Sequence, residues 1–458
     1  METVVYILKI VYCIVMVLLL FNVTIFVHEY GHFLLARWRG LQVDEFSIWF
    51  GPAIWQKRIG DVLFSLRSIP LGGYVKLPQL QPDDPIEGKS QTPKEQLPPI
   101  RPIDKIPTLF AGSVFNFLFA IVIATFLWIV GVPVDRSLID TTVCYVAENS
   151  AESAAGLRAG DKIVAVGGNE VHDWIDIKIE TALAPTAVVD VSVLRNGKTE
   201  LLRITPSKNA LGLREINADS KQSVIVGETI EGAPARVAGL KPGDRIVSVN
   251  RAKLRNLDHL VAIISASSDK SCEVRVDRDG RRLTFNITPK FNPDEKRGMI
   301  GIRFESDTIL IHPTPIKQIT AVILQMGRFI GAFFHHKETG VGVKDLAGQI
   351  GIVDHLYRAV ASDIRLALYF LVLLNVNLAI LNLLPLPVLD GGHIMFTLLE
   401  WIRKKPLNLR LMEGIQTAFV VLLLAFVVYV SFNDVKRLLL MRGIGSKPEP
   451  AATAPPSK

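Results

Sequence analysis

Two histidines four residues apart, with a glutamate after the first, make His28-Glu29-Tyr30-Gly31-His32 the pattern of a zinc-dependent hydrolase. On a helix, residues i and i+4 share one face about a turn apart, so both imidazoles can reach a single ion. Glu29 then stands where a carboxylate can take the proton of a water activated by the metal. A third ligand is expected far along the chain, at Asp390 in the run Asn382-Leu383-Leu384-Pro385-Leu386-Pro387-Val388-Leu389-Asp390-Gly391-Gly392. Two imidazoles and one carboxylate leave a fourth tetrahedral position open, which is the catalytic rather than the structural arrangement of Zn²⁺. The chemistry expected is metal-assisted hydrolysis of a peptide bond.

The elements that must position these groups are apolar. No charged side chain occurs from Ile10 to Val27, and the pentad follows without a break. Ionisable groups at membrane depth are costly, and a metal compensates for them. Residues 4–27, 106–130, 364–384 and 414–432 each approach the ~20 residues needed to cross ~30 Å of hydrocarbon. Pro385 and Pro387 break the third of these, freeing backbone groups that are tolerated only inside protein or beside a wet cavity. Basic residues crowd the loops between spans one and two and between spans three and four, so both loops are expected on the cytoplasmic side. Spans one and three then run in the same direction, bringing His32 and Asp390 to comparable depth near that side.

With 49% hydrophobic residues and a positive mean hydropathy, the 458-residue chain reads as a membrane protein carrying water-soluble parts. Its formal charge of +7 is scattered, with no dense basic tract interleaved with aromatics, so no nucleic-acid partner is expected. Cys13, Cys144 and Cys272 form neither a CxxC pair nor an even framework, and read as small hydrophobes. The N-terminal apolar stretch lacks a basic n-region and a small-x-small cleavage site, and is expected to be a retained span.

Between spans two and three, Ala155-Gly156-Leu157-Arg158-Ala159-Gly160-Asp161-Lys162-Ile163 returns as Ala238-Gly239-Leu240-Lys241-Pro242-Gly243-Asp244-Arg245-Ile246, an offset of 239 − 156 = 83 residues. Two copies of one domain in tandem are expected. The doubled AGLxxGDxI signature resembles PDZ domains, which take extended peptides by strand addition, so peptide ligands are expected partners. Residues 313–336 carry apolar side chains at helical spacing and read as an amphipathic helix along the membrane or against the tandem. His335 and His336 are adjacent and face different directions on a helix, so they are not read as a metal pair. In the first basic loop, residues 62–68 alternate and Pro70-Leu71-Gly72-Gly73-Tyr74-Val75 follows, indicating short strands with a glycine turn. An open edge there could pair with an extended substrate, through Gly72 and Gly73. Residues 78–107 read as an irregular Pro-rich connector, and the Pro/Ala/Ser-rich tail from Gly443 as disordered.

Taken in order, HEYGH, PLGGYV, the PDZ-like tandem and NLLPLPVLDGG resemble the site-2 protease family of intramembrane zinc metalloproteases, in its bacterial regulator of sigma-E type. The resemblance implies that His28, His32 and Asp390 bind zinc and that Glu29 is the catalytic base. It implies that Asn382 holds substrate or the oxyanion, with Pro385, Pro387 and Asn116 as further substrate contacts. The implied substrates are single-pass membrane proteins, anti-sigma factors or remnant signal peptides, cut within the bilayer.

Two departures stand out. Ala111-Gly112-Ser113-Val114-Phe115-Asn116 has serine, and Gly348-Gln349-Ile350-Gly351-Ile352 glutamine, where the family has proline. No role is carried onto Ser113 or Gln349.

The expected fold class is a polytopic α-helical membrane protein with four transmembrane helices, a short membrane-associated β-sheet and two periplasmic PDZ domains. The expected divisions are residues 1–37, 38–105 and 106–131 for span one, loop and span two. PDZ domains over 132–208 and 209–292 and amphipathic helices over 293–363 follow. Span three with its loop takes 364–412, span four 413–442, and the tail 443–458. The expected location is the bacterial inner membrane. The alternative is a non-catalytic PDZ scaffold with structural zinc, which would have no use for Glu29. A metal transporter would need ligands strung along a path, and the sequence offers one cluster.

Overall fold

The computed structural model describes residues 2–80, 83–84, 88–89, 100–147, 149–209, 213–293, 295–334, 342, 346, 348–405 and 407–441. The tail expected to be disordered, His335, His336 and residues 90–99 of the Pro-rich connector lie outside the described residues. The chain divides into two compact units. One comprises residues 1–132, 312–327 and 343–458; the other comprises residues 133–311 and 328–342.

In the first unit, helix α1 (Glu2–Trp38) carries the pentad near its C-terminal end and is followed by strands β1 (Glu45–Ile59) and β2 (Val62–Lys76). Helix α2 (Pro102–Val130) opens with proline at its first position, where the missing N–H costs nothing, and closes at Gly131 in a left-handed-side conformation (φ 78°). β1 pairs with β2 twice. Glu45–Ile48 lies between Gly73–Lys76 on one side and Leu63–Leu66 on the other, and Trp55–Ile59 returns along Val62–Leu66. Instead of separate short strands with a glycine turn, two long strands bend and build a four-segment sheet. The bend sits at Trp49 and Gly51, both with positive φ (72° and 85°). Ala36, Leu41, Val43, Phe46, Val62, Val75 and Leu77 form the buried core that ties this sheet to the end of α1.

The second unit carries helices α3 (Trp174–Leu183) and α4 (Leu257–Ala266), one in each of two β-rich halves. Each half has its own apolar core, around Ile163, Val191 and Ile204 in the first and around Val226, Val274 and Ile287 in the second. The repeat extends to atoms. Asp173 caps α3 by accepting from Asp176 N, and Asn256 caps α4 by accepting from His259 N. Arg195 donates from Nε and Nη2 to Asp161 at 2.7 Å each and to the Gly156 carbonyl at 2.7 Å. Arg278 repeats this on Asp244 at 2.5 and 2.7 Å and on the Gly239 carbonyl at 2.9 Å. Sheet pairings run past both expected domain ends. Ala218–Ser220 pairs with Val143–Val146, beyond residue 208, and Ile302–Glu305 pairs with Val224–Thr229, beyond residue 292. In each half a closing strand returns from well downstream to the half's first strand, so no local signal marks it.

Helix α5 (Pro315–Phe334) covers most of the stretch with amphipathic spacing; its residues 315–327 belong to the first unit, where Gln318 donates to the Ala124 carbonyl of α2 at 2.9 Å. Helix α6 (Gln349–Ser362) begins where the Gly348 and Gly351 N–H groups donate to Asp434, at 3.2 and 2.8 Å. Gln349 is exposed in that first turn, so replacing a proline there costs no packing. Helices α7 (Ile364–Asn382), α8 (Asp390–Arg403) and α9 (Leu409–Met441) complete the chain. Among the described residues, four helices are long and apolar enough to cross a membrane: Val4–Trp38, Ile103–Val130, Ile364–Asn382 and Arg410–Leu439. The protein is a multi-pass membrane protein.

Candidate metal centre

α1 presents His28 and His32 on one face, and the turn after α7 brings Asp390 to them from more than 350 residues away. The two Nε2 atoms are 3.2 Å apart, and Asp390 Oδ2 lies 3.5 Å from that of His28 and 3.4 Å from that of His32. A Zn²⁺ held at ~2.0–2.1 Å in tetrahedral geometry requires ligand atoms ~3.3 Å apart. The three edges match that requirement. Asp390 Oδ2 is buried without a hydrogen-bond partner, and no Lys or Arg pairs with Asp390 among the described residues. A carboxylate oxygen left in this state, facing two imidazole nitrogens, fits a divalent cation and is costly otherwise.

Asp390 is delivered by a tight turn. Pro385 and Pro387 occupy the irregular stretch between Asn382, where α7 ends, and Asp390, where α8 begins. Gly391 and Gly392 let α8 start directly against that stretch: a methyl group on Gly391 would sit 2.3 Å from the Leu384 carbonyl oxygen, and one on Gly392 2.1 Å from that of Leu386. The DGG motif is therefore a carboxylate plus the close approach that aims it at the two imidazoles.

Helix α2 supplies the outer shell. Thr108, Gly112 and Asn116 recur every fourth residue and so form one stripe facing the pentad. His32 Nδ1 donates to the Thr108 carbonyl at 2.8 Å, which leaves Nε2 unprotonated and available as a ligand. The Asn116 amide nitrogen lies 3.3 Å from His28 Nδ1 and packs against that ring, and the Gly112 carbonyl accepts from the His28 imidazole. Gly112 permits the approach, because a methyl group there would come within 2.3 Å of His32 Nε2 and 2.5 Å of His28 Cε1. Asn116 thus reaches the His28 ring directly. Ser113 is buried one position along with no partner for its hydroxyl, and nothing in the structure explains the serine.

The remaining residues of interest fall around this cluster. Glu29 sits on α1 against the outer edge of β2: the Val75 N–H donates to its carboxylate, and a methyl group on Gly73 would lie 3.5 Å from its Cγ. Asn382 points its amide at His28 Nε2, 3.5 Å away. Gly72 and Gly73 lie on β2 beside α1, Gly72 with φ 84°. Sequence reasoning did not find Thr108, whose contribution is a backbone carbonyl, nor Asn375, which donates to Thr24 of α1 at 3.3 Å and ties α7 to the pentad helix.

A buried two-histidine, one-carboxylate centre beside a glutamate, on helices that cross a membrane, defines a membrane-embedded metallohydrolase. The model of peptidase family M50 matches residues 16–426, and the chain belongs to that family. It is a zinc metalloprotease. A Pasteurella multocida relative described as a zinc metalloprotease is 32% identical over 461 residues, covering 92% of this chain and 98% of its own. The regulator of sigma-E protease RseP of Escherichia coli is 29% identical over 458 residues, covering 91% and 97%. Among solved structures, the PDZ domain of an SdrC-like protein from Listeria monocytogenes covers 19% of this chain and 90% of its own, at 15% identity and a TM-score of 0.18, too low a score to carry an argument.

Proposed function

We propose that His28, His32 and Asp390 hold the Zn²⁺ of this metalloprotease and that Glu29 is its general base, cutting peptide bonds inside transmembrane segments of single-pass proteins. The observation that carries this reading is the triangle of 3.2, 3.4 and 3.5 Å between the three ligand atoms. When bound, zinc supplies Lewis acidity to a water and to the scissile carbonyl. Glu29, with its carboxylate beside the strand edge, takes the water's proton and returns it to the leaving amine. Asn382, aimed into the same space, donates its amide N–H to the oxyanion as charge develops there.

The outer edge of Gly73–Lys76 is taken by no other strand among the described residues, and its Val75 N–H meets Glu29. A substrate segment unwound from helix and added to that edge would run past the base, with Gly72 and Gly73 allowing close approach. Pro385 and Pro387 keep the turn between α7 and α8 from continuing as helix, and are read as further contacts for the same segment. A helix hides its carbonyls in i→i−4 bonds, so Gly or Pro in the substrate span eases cleavage.

Following the family resemblance, the proposed substrates are anti-sigma factors or remnant signal peptides, and one relative is named a regulator of sigma-E protease. The two β-rich halves, with matching caps and Asp–Arg pairs, are read as a tandem of PDZ domains on the periplasmic side, and the metal centre as lying near the cytoplasmic side.

The test is cleavage of a reconstituted single-span substrate by wild type and Glu29→Gln, with metal content measured on both. The expected result is at least a 10²-fold loss of rate with zinc unchanged. Wild-type cleavage by Glu29→Gln would remove the base assignment.

A further inference from the structure

The bend of β1 is held to α1 by one side-chain hydrogen bond. Trp49 Nε1 donates to Asn22 Oδ1 at 2.6 Å, and Asn22 Nδ2 donates in turn to the Leu18 carbonyl at 2.7 Å, with the Pro70 carbonyl 3.5 Å away. Trp49 has φ 72°, a left-handed backbone that suits glycine and is unfavourable for a bulky side chain. A tryptophan retained there needs a compensating contact, and the indole N–H supplies it. Asn22 is polar within an apolar helix and its carbonyl oxygen has this indole as partner.

The location gives the bond a consequence. Asn22 and Glu29 are seven residues apart, two turns of helix, so they lie on one face ~10.5 Å apart along the axis. Pro70 and Gly73 are three strand residues apart, ~10 Å. Pro70 meets Asn22, and Gly73 meets Ile25 and Glu29, where a methyl group on it would be 3.6 Å from Ile25 Cγ2 and 3.5 Å from Glu29 Cγ. The segment 70–73 therefore lies along the Asn22–Ile25–Glu29 stripe, fixed at one end by the Trp49–Asn22–Pro70 cluster and ending at the base. Phe50, next to Trp49, stacks on Tyr74 with centroids 5.8 Å apart, so the bend and the edge move together.

We propose that Asn22 and Trp49 are positioning residues that set the register of the substrate-holding edge against Glu29, and so select which peptide bond is cut. This rests on the reading above that the edge of β2 holds the substrate. Neither side chain touches the metal ligands. Both act through the placement of Gly73–Val75, and a misplacement of about 1 Å at a reacting group can cost 10²-fold in rate.

The test uses the full chain in liposomes with a reconstituted single-span substrate, comparing wild type, Trp49→Phe, Asn22→Leu and the double variant. Cleavage rate, the bonds cut (by mass spectrometry of the products) and zinc per chain are measured together. The inference expects each single variant to lose about 10- to 100-fold in kcat and to spread cleavage over neighbouring bonds, with zinc unchanged. It expects the double variant to be no worse than either single, because both remove one bond. Trp49→Gly, which relieves the backbone but removes the indole, should behave like Trp49→Phe. Wild-type rate at the same bond in the single variants overturns the inference, as do additive losses in the double, a slower rate at an unchanged bond, or loss of zinc. If wild type releases no product at all, the reading of the edge and base falls first, and that outcome is distinct from variants that match an active wild type.

Discussion

Buried carboxylates in the two units of this molecule have opposite surroundings. Asp161 and Asp244, in the β-rich unit, are each gripped by one arginine through two hydrogen bonds and by the backbone N–H of Arg158 or Lys241. Their charge is cancelled within the protein, and the same device occurs twice at the same spacing. Among the described residues Asp390 has no arginine; its Oδ2 faces two imidazole nitrogens at ligand distance and has no hydrogen-bond partner. The difference separates a charge that the chain itself satisfies from one that, on the proposed reading, a bound cation satisfies.

The sharpest way to break this comparison is to remove the metal. A zinc chelator should abolish cleavage by the reconstituted protein, with activity restored by added Zn²⁺, while the urea unfolding of the β-rich unit is unchanged. A chelator-induced shift in that unfolding would mean the metal serves the soluble unit instead. Next in size, Asp244→Ala removes the buried carboxylate that Arg278 and the Lys241 N–H donate to and should destabilise its half by about 1–3 kcal/mol, read as a lower urea midpoint, with zinc per chain unaltered. Replacing Asp244 and Arg278 together by apolar residues of similar size should recover most of that loss. No such double replacement can recover activity at the metal centre. Smaller again, Asn116→Ala should weaken zinc affinity about 10- to 100-fold by freeing the His28 ring, measured by competition with a chromogenic chelator.

The smallest effect is a pH dependence. Burial alone would raise the Asp161 carboxyl, but the Arg195 guanidinium and the Arg158 N–H outweigh it and hold the group below the ordinary carboxylate range. A depressed folded pKa stabilises the protein above the unfolded value of ~3.9, and the stabilisation is lost as pH falls through the folded one. Urea midpoints of wild type should therefore drop in acid below about pH 4, and the drop should shrink in Asp161→Asn. An equal drop in both would detach the pair from the acid lability.

Much of the candidate site was legible in the sequence because its side chains stand at diagnostic spacing: the pentad on one helix face, and an aspartate after two prolines at the end of an apolar run. The repeat was legible too, since AGLxxGD recurs with its glycines. What escaped is carried by groups without a sequence signature. The acceptor for His32 is the Thr108 carbonyl, and any residue could stand there. The double pairing of β1 depends on Trp49 and Gly51 adopting positive φ, and nothing in Trp49 announces that. Strands 218–220 and 302–305 join partners some 75 residues upstream, a pairing that hydrophobic periodicity cannot register. Asn22, Asn116 and Asn375 are polar residues in apolar helices, and only the fold reveals that each faces a partner rather than lipid.

The central claim is that an aspartate from the α7–α8 turn completes a zinc site begun by two histidines of α1. Metal analysis of purified Asp390→Ala beside wild type tests it most directly. One zinc per chain in wild type and almost none in the variant is the predicted result; a full complement of zinc in Asp390→Ala would contradict it.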